Sequence, residues 1–147
     1  MADFDASIQE AGGHAHLIPL RRRYDLLQAW RHIYAAKLHA ATGKWTWLGY
    51  DWHVFSYHHA PAYARERALR TYDSLTSPNR TIVCPQDSRL PAVEIVGDRL
   101  PDFRHYNQDT YVWPDGLDWT MAFTHEDSWL GPYFCRREWI EASCIPN

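Results

Sequence analysis

Aromatic side chains constrain this chain more than any other feature of its sequence. Eight Trp, nine Tyr and five Phe make up 15% of its 147 residues. Burial of apolar surface is worth about 25 cal/mol per Å², and each ring brings a large area. We therefore expect most rings to form one core and a minority to remain outside as binding anchors. The length suits a single domain.

The charge balance disfavours polyanionic partners. Fifteen Lys and Arg face eighteen Asp and Glu, which gives a formal net charge of -3. Neither nucleic acid nor a membrane is therefore expected as a partner. The sequence contains no uninterrupted apolar run of about 18 residues and begins without the regions of a signal peptide, which predicts a cytoplasmic protein.

Apolar periodicity predicts two helices. Apolar residues recur every three or four positions within residues 21–41, and Gly43 follows as a helix stop. A second helix is predicted from Pro61 to about Leu75, and residues 138–142 are typical of a short helical end.

Runs of β-branched and aromatic residues predict the strands, at residues 51–57, 81–84, 92–96, 110–113 and 118–124. An Asp-Gly turn favours a hairpin between the last two runs. The resulting prediction is an α+β fold, with a mainly antiparallel sheet of four or five strands packed by two helices. Residues 1–16 show no sustained period and predict a flexible N-terminal arm, so the domain is expected to span residues 17–147.

Nine histidines raise the question of a metal site, but none of their spacings is a metal-binding motif. The sequence His125-Glu126 lacks the second histidine of an H-E-x-x-H zinc helix, because Trp129 stands in its place. Glycine-rich phosphate loops are absent from the sequence as well. We expect neither a metal nor a cofactor.

The three cysteines, Cys84, Cys135 and Cys144, form an odd set without a C-x-x-C pair, so no disulfide framework or zinc ribbon is predicted. Neither Cys84 nor Cys135 has a recognised nucleophile signature around it, and Ser56 lacks the G-x-S-x-G elbow.

One constellation is a candidate for chemistry. His53 and His125 each lie at or near the end of an aromatic run, and Glu126 follows His125 directly. If neighbouring strands bring them together, His53 would act as a general base, His125 as a general acid and Glu126 as the orienting carboxylate. The alternatives are core histidines with satisfied nitrogens and histidines on a binding surface.

Three strings resemble the signature of a family of small bacterial proteins, domain of unknown function 4275. They are the runs WHVFSY at 52–57, WTMAFTHE at 119–126 and GPYF at 131–134. The chain departs from the family pattern at Asp51, where an apolar residue is expected, and in its extended N-terminal arm. The resemblance implies a stand-alone bacterial cytoplasmic protein and supplies no activity or catalytic residue.

These observations favour a non-enzymatic protein-binding module, such as an immunity or inhibitor protein that covers the active surface of a toxin. The alternative is a small hydrolase or transferase that uses the histidine constellation. Trp, Tyr and Arg dominate interface hot spots. The predicted anchors are Trp45, Trp47, Trp113, Trp129 and Tyr133, with Arg136 and Arg137 at the rim.

Overall fold

The computed structural model describes residues 2–11, 14–127 and 129–143, which form one seven-stranded sheet with helices on both faces. The helices are α1 (Ala2–Glu10), α2 (Leu20–Tyr34), α3 (Ala36–Thr42), α4 (His53–Ser56), α5 (Arg65–Asp73) and α6 (Arg137–Ser143). The strands are β1 (His14–Leu17), β2 (Tyr63–Ala64), β3 (Arg80–Pro85), β4 (Val93–Val96), β5 (Thr110–Pro114), β6 (Trp119–Phe123) and β7 (Tyr133–Arg136). No described helix is long and apolar enough to cross a membrane.

Every pair of neighbouring strands in the sheet is antiparallel, and the spatial order is β1-β4-β3-β5-β6-β7-β2. The predicted β3–β4 and β5–β6 hairpins are both present. In the second hairpin Thr110 pairs with Phe123 and Val112 pairs with Met121. This register places the residue before β5 opposite the residue after β6.

The central strands are buried on both faces because successive side chains point to opposite sides of a sheet. Tyr111 and Trp113 of β5 belong to one core cluster, and Val112 between them belongs to the other. Helices α2, α3 and α4 cover the first cluster with Trp30, Leu38 and other side chains. Helices α1 and α5 cover the second cluster.

The first predicted helix is present as two helices. Helix α2 ends at Tyr34 and α3 begins at Ala36, with the buried Ala35 between them. The predicted stop is confirmed, because Gly43 follows α3 in the left-handed conformation that a residue without a Cβ adopts easily.

The predicted α+β class is confirmed, but the predicted element counts are too low. In the part of the chain that the structure describes, the sheet has seven strands rather than four or five, and six helices accompany it rather than two. The sequence pattern missed β1, β2 and β7. Strand β1 is a fully exposed edge strand, β2 has only two residues and β7 has only four.

The predicted strand at residues 51–57 is wrong, because helix α4 occupies the middle of this run. Trp52, Val54 and Phe55 are all buried, so their burial does not alternate as it does in a strand with one exposed face. A short, densely apolar run of this kind fits a buried helical turn as well as a strand.

The segment predicted as a flexible arm, residues 1–16, contains α1 and most of β1. Ile8 and Ala11 pack into the second core cluster, and β1 pairs with β4. The mobility of this segment stays a prediction.

Candidate functional site

A tight turn carries the chain from α3 towards the candidate site. Leu48 and Gly49 both have positive φ angles, 52° and 83°. The backbone N–H of Tyr50 donates to the carbonyl of Trp47 at 3.1 Å, and the two residues form an isolated antiparallel bridge. The turn therefore places Trp47 and Tyr50 close together.

Asp51, directly after this turn, is the centre of a buried polar network. It is 1% exposed. Its carboxylate accepts hydrogen bonds from Arg31 Nε at 2.7 Å and Nη2 at 3.1 Å, and from Gln86 Nε2 at 3.1 Å. Burial works against the charge of Arg31, but the hydrogen bonds and the charge of Asp51 outweigh it and raise the pKa of the guanidinium. Both charges are therefore paired inside the fold.

The same network ties Trp52 to the sheet. The backbone N–H of Trp52 donates to the Tyr111 hydroxyl at 2.8 Å, and that hydroxyl donates to Gln86 Oε1. Burial raises the pKa of Tyr111 well above its ordinary value, so the phenol stays protonated and able to donate. The Trp52 indole is fully buried, and its Nε1 has no hydrogen-bond partner among the described residues.

His53 follows as the first residue of α4 and is half-buried. Its Nδ1 lies 2.7 Å from Ser56 Oγ, within the same helical turn. Burial lowers the pKa of His53, although the negative charges of Glu126 and Asp109 act in the opposite direction. The neutral imidazole is therefore favoured near pH 7.

His125 lies two residues beyond the end of β6, and Asp109 holds it in place. The carboxylate oxygens of Asp109 lie 2.9 and 3.0 Å from His125 Nδ1, and one of them accepts the backbone N–H of His125 at 3.1 Å. On the other side of the ring, Nε2 is 3.7 Å from a carboxylate oxygen of Glu126. The imidazole thus lies between two carboxylates.

The geometry changes one predicted role. Glu126 was predicted to be the carboxylate that orients His125. Asp109 lies closer to the imidazole, because both of its carboxylate oxygens contact Nδ1, whereas Glu126 is 3.7 Å from Nε2. Asp109 was missed, although the predicted hairpin contains a signal for it. Since Thr110 pairs with Phe123, Asp109 lies across from the end of β6.

The structure brings His53, His125 and Glu126 close together. The two imidazole rings contact the same Trp52 indole, at centroid distances of 4.1 and 5.9 Å. Both also contact the Tyr50 ring, at 5.5 and 5.2 Å. These shared neighbours keep the two imidazoles within about 10 Å of each other, which a group that contacts both would require.

The ring contacts continue outwards from His53. Its imidazole contacts Tyr57 at 5.3 Å, and Tyr57 contacts Trp47 at 6.4 Å. Tyr57 is 49% exposed, and Trp47 is half-buried. We name this continuous set the imidazole surface; its members are Trp47, Tyr50, His53, Tyr57, His125 and Glu126.

Among the predicted anchors, only Trp47 belongs to the imidazole surface. Trp45 stacks on His39 with ring centroids 3.8 Å apart and also contacts His32, so it packs against α2 and α3. Trp129 is 73% exposed, on the loop between β6 and β7.

Trp113 and Tyr133 are not surface anchors, because both side chains lie in the core. Trp113 is 1% exposed, on the strand face that meets α2 and α3. Tyr133 is 6% exposed and stacks against Trp52 at 6.0 Å. Tyr133 therefore supports the imidazole surface from beneath.

Arg136 and Arg137 lie at the opposite end of the sheet from His125. Arg136 pairs with Trp119 at the start of β6, whereas His125 lies beyond the end of that strand. Arg136 lies over the Phe134 ring at 5.3 Å, and Arg137 donates to Glu141 at 3.1 Å. These arginines do not form a rim around the imidazole surface.

Thiol chemistry has little support among the described residues. Cys84 and Cys135 are buried and form no disulfide. Burial raises the pKa of Cys84 to about 11 and that of Cys135 to about 12, which disfavours the reactive thiolate. Cys144 lies outside the described residues. Within the described residues, no group of three or more His, Cys, Asp or Glu side chains is arranged to hold a metal ion.

Comparison with known families identifies one match. A family model described as a domain of unknown function (DUF4275) matches residues 25–134, which include the whole imidazole surface. Searches of curated proteins and of solved structures found no match.

Proposed function

The chain belongs to the DUF4275 family, and from that premise we propose that it is a non-enzymatic protein-binding module whose imidazole surface holds a cationic side chain of its partner. The observation that supports this proposal most is the unbroken series of ring contacts from Trp47 through Tyr57, His53 and Tyr50 to His125. Partly exposed aromatic rings are typical anchors of protein interfaces.

Charge favours a basic partner. The carboxylates of Asp109 and Glu126 flank His125 at one end of the surface, and the whole chain carries a net charge of -3. Exposed aromatic faces attract Lys and Arg through cation–π interactions. Trp47 already forms one such contact within the chain, because Lys44 Nζ lies 5.8 Å from its ring centroid. Rings and carboxylates together suit an arginine or lysine at the centre of a partner's surface.

The site is also held rigid before any partner arrives. Asp51 and Trp52, which precede His53, are fixed by Arg31, Gln86 and Tyr111. A fixed surface loses less conformational entropy on binding, so more of the contact energy appears as affinity. A fixed surface of aromatic rings flanked by carboxylates suits an inhibitor that covers the basic active surface of a toxin, in the manner of an immunity protein.

The test is affinity purification of the tagged chain from the source organism, with matched variants. We expect a stoichiometric protein partner that is lost with Trp47→Ala and with Glu126→Gln. Tyr24→Ala removes an aromatic ring that is 63% exposed on α2 and should leave the partner bound. Absence of a stoichiometric partner, or a partner that all three variants retain, would contradict the proposal.

A second function is favoured by the pairing of Asp109 with His125. A neutral His53 can accept a proton, and His125, whose ring nitrogens lie beside the carboxylates of Asp109 and Glu126, is placed to act as the acid. We propose hydrolysis or group transfer by this acid–base pair as the alternative to binding alone.

Activity towards chromogenic esters and phosphodiesters separates the two functions. The enzymatic alternative expects a rate that falls at least about a hundredfold with either His53→Gln or His125→Gln, which is the lower end of general acid–base contributions. It also expects Trp47→Ala to retain most of the rate. A rate that is unchanged in both histidine variants would rule this alternative out for those substrates.

A further inference from the structure

A cavity of about 760 Å³ lies beside the loop between β6 and β7. Its walls come from the start of α5, from the segment 104–105, and from Asp127 and the Gly131-Pro132 peptide. Three guanidinium groups line it, those of Arg65, Arg67 and Arg104. We name it the arginine cavity. Its volume is within the range of small-molecule sites.

Each of the three guanidinium groups is held by its own contact. Arg65 Nε donates to the carbonyl of Trp129 at 3.1 Å, and the Arg67 guanidinium lies 3.8 Å from the ring centroid of Tyr63. Arg104 donates to Asp102 at 2.9 Å and to Asp73. The cations are therefore placed around the cavity before a ligand binds, which lowers the entropy lost on binding.

Arg65 occupies an unfavourable backbone conformation at the cavity wall. Its φ is 58°, in the left-handed region, and its backbone N–H donates to the carbonyl of Pro132 at 2.9 Å. Glycine adopts this conformation without the steric cost that a side chain brings. Strained residues of this kind cluster at ligand sites, so an arginine at this position points to a use for its guanidinium.

Among the described residues, Arg104 is already paired with Asp102 and Asp73, whereas Arg65 and Arg67 form no ion pair with a carboxylate. Two carboxylates, Glu66 and Asp127, share the cavity with these arginines and with His105. Asp127 Oδ1 is already occupied, since it accepts from the backbone N–H and the hydroxyl of Thr124, both at 2.8 Å. The guanidinium groups of Arg65 and Arg67 therefore remain able to hold an anionic group.

The geometry points to this cavity as a binding site for a small organic phosphate. A phosphate ester carries about two negative charges near neutral pH and offers several acceptor oxygens. A ligand with a phosphate group therefore matches several guanidinium groups better than a ligand with one carboxylate group does. Leu69, Ala64 and Pro132 supply apolar wall for the organic part. The site lies outside the imidazole surface, so it does not depend on the proposed function.

The experiment is an NMR titration of the full chain with phenyl phosphate, inorganic phosphate and benzoate at constant ionic strength. Phenyl phosphate should bind most tightly, and its binding should shift amide signals around Arg65 and Pro132. Benzoate has the same ring with a weaker charge, and inorganic phosphate has the charge without the ring. Equal affinity for either of them would overturn the assignment to an organic phosphate.

Variants separate the ligand role from a structural one. Arg65→Gly removes a guanidinium and relieves the left-handed backbone, so we expect binding to weaken at least about tenfold while Tm stays constant or rises. Arg67→Ala should weaken binding similarly. Arg89→Ala removes an exposed arginine that does not line the cavity, and should change nothing. Unchanged affinity in Arg65→Gly, or no binding of phenyl phosphate to the wild type, would overturn the proposal.

Discussion

The central strands and the segment at residues 45–60 both contain fully buried side chains, but they are held in different ways. Val83 and Val112 in the sheet are fully buried, as are Trp52 and Val54 in the segment. Each central strand is aligned with its neighbouring strands by a regular series of backbone hydrogen bonds. The segment is tied to the rest of the fold by a few side chains, those of Arg31, Gln86 and Tyr111.

This difference shows which contacts fix the position of the imidazole surface. A sheet with many repeated backbone bonds tolerates the loss of any one side-chain contact at its surface. The segment has no such repetition, so the Arg31–Asp51 ion pair and a few hydrogen bonds around it position Trp52 and His53. Four predictions test this difference between the strands and the segment.

The largest effect is expected from Arg31→Ala. It leaves the buried Asp51 carboxylate without its cation, which should cost about 3–5 kcal/mol of the free energy of unfolding. The matched control is Arg80→Ala on β3, whose ion pair with Glu94 at 3.5 Å has a mostly exposed guanidinium and should be worth about 0–1 kcal/mol. Urea denaturation followed by Trp fluorescence measures both. Equal losses in the two variants would contradict the contrast.

A smaller effect should distinguish two fully buried indoles. Trp30 Nε1 donates to Thr120 on β6 at 2.9 Å, whereas Trp52 Nε1 has no partner among the described residues. Trp30→Phe should therefore destabilise the fold more than Trp52→Phe, by about 1 kcal/mol for the lost hydrogen bond. The comparison uses the midpoints of urea denaturation, and the reverse order would show that Trp52 is held by a polar contact.

The pH dependence of stability should have opposite signs in the two regions. Burial lowers the pKa of His53 in the segment below its ordinary 6.5, so its contribution is lost as the pH falls below 6.5 towards the folded value. Burial raises the pKa of Asp127, beyond β6, from 3.8 to about 6, so stability is lost as the pH rises through that window. Both effects should be modest, because both side chains are partly exposed.

The variants His53→Gln and Asp127→Asn test these signs. His53→Gln should reduce the loss of stability between pH 7 and pH 5. Asp127→Asn keeps an acceptor for Thr124, and its stability relative to the wild type should grow as the pH rises from 4 to 7. If the free energy of unfolding changes with pH in the same way in the wild type and in a variant, the replaced side chain is not the group that causes the pH dependence.

The smallest effect is expected at the exposed part of the imidazole surface. Tyr57 is 49% exposed, so Tyr57→Ala should change the free energy of unfolding by less than about 0.5 kcal/mol. The same change should weaken partner binding, because it removes a ring from the middle of the surface. A large loss of stability would instead show that Tyr57 holds the segment in place.

The sheet could be predicted where local pattern and backbone pairing agree. The β-branched runs at residues 81–84 and 92–96 became β3 and β4, and the Asp115-Gly116 turn joins β5 and β6. In these strands the alternation of side chains also determines which of the two core clusters each side chain joins, so the sequence carries both pieces of information.

The segment could not be predicted in this way, because its conformation depends on partners distant in the sequence. Arg31 precedes Asp51 by 20 residues, and Tyr111 follows Trp52 by 59. The run of aromatic and β-branched residues fits a strand locally, while these contacts hold it as a helical turn. The proximity of His53 and His125 was predicted from two neighbouring strands, whereas the structure achieves it with one helix and one loop.

The most direct test of this account is a NOESY spectrum of the wild-type chain, read at the Trp52 indole protons. The structure places this indole against both imidazoles, at centroid distances of 4.1 and 5.9 Å. We predict cross-peaks from Trp52 to the ring protons of both His53 and His125. Cross-peaks to His53 with none to His125 would mean that the two histidines do not share a surface, and would contradict the account.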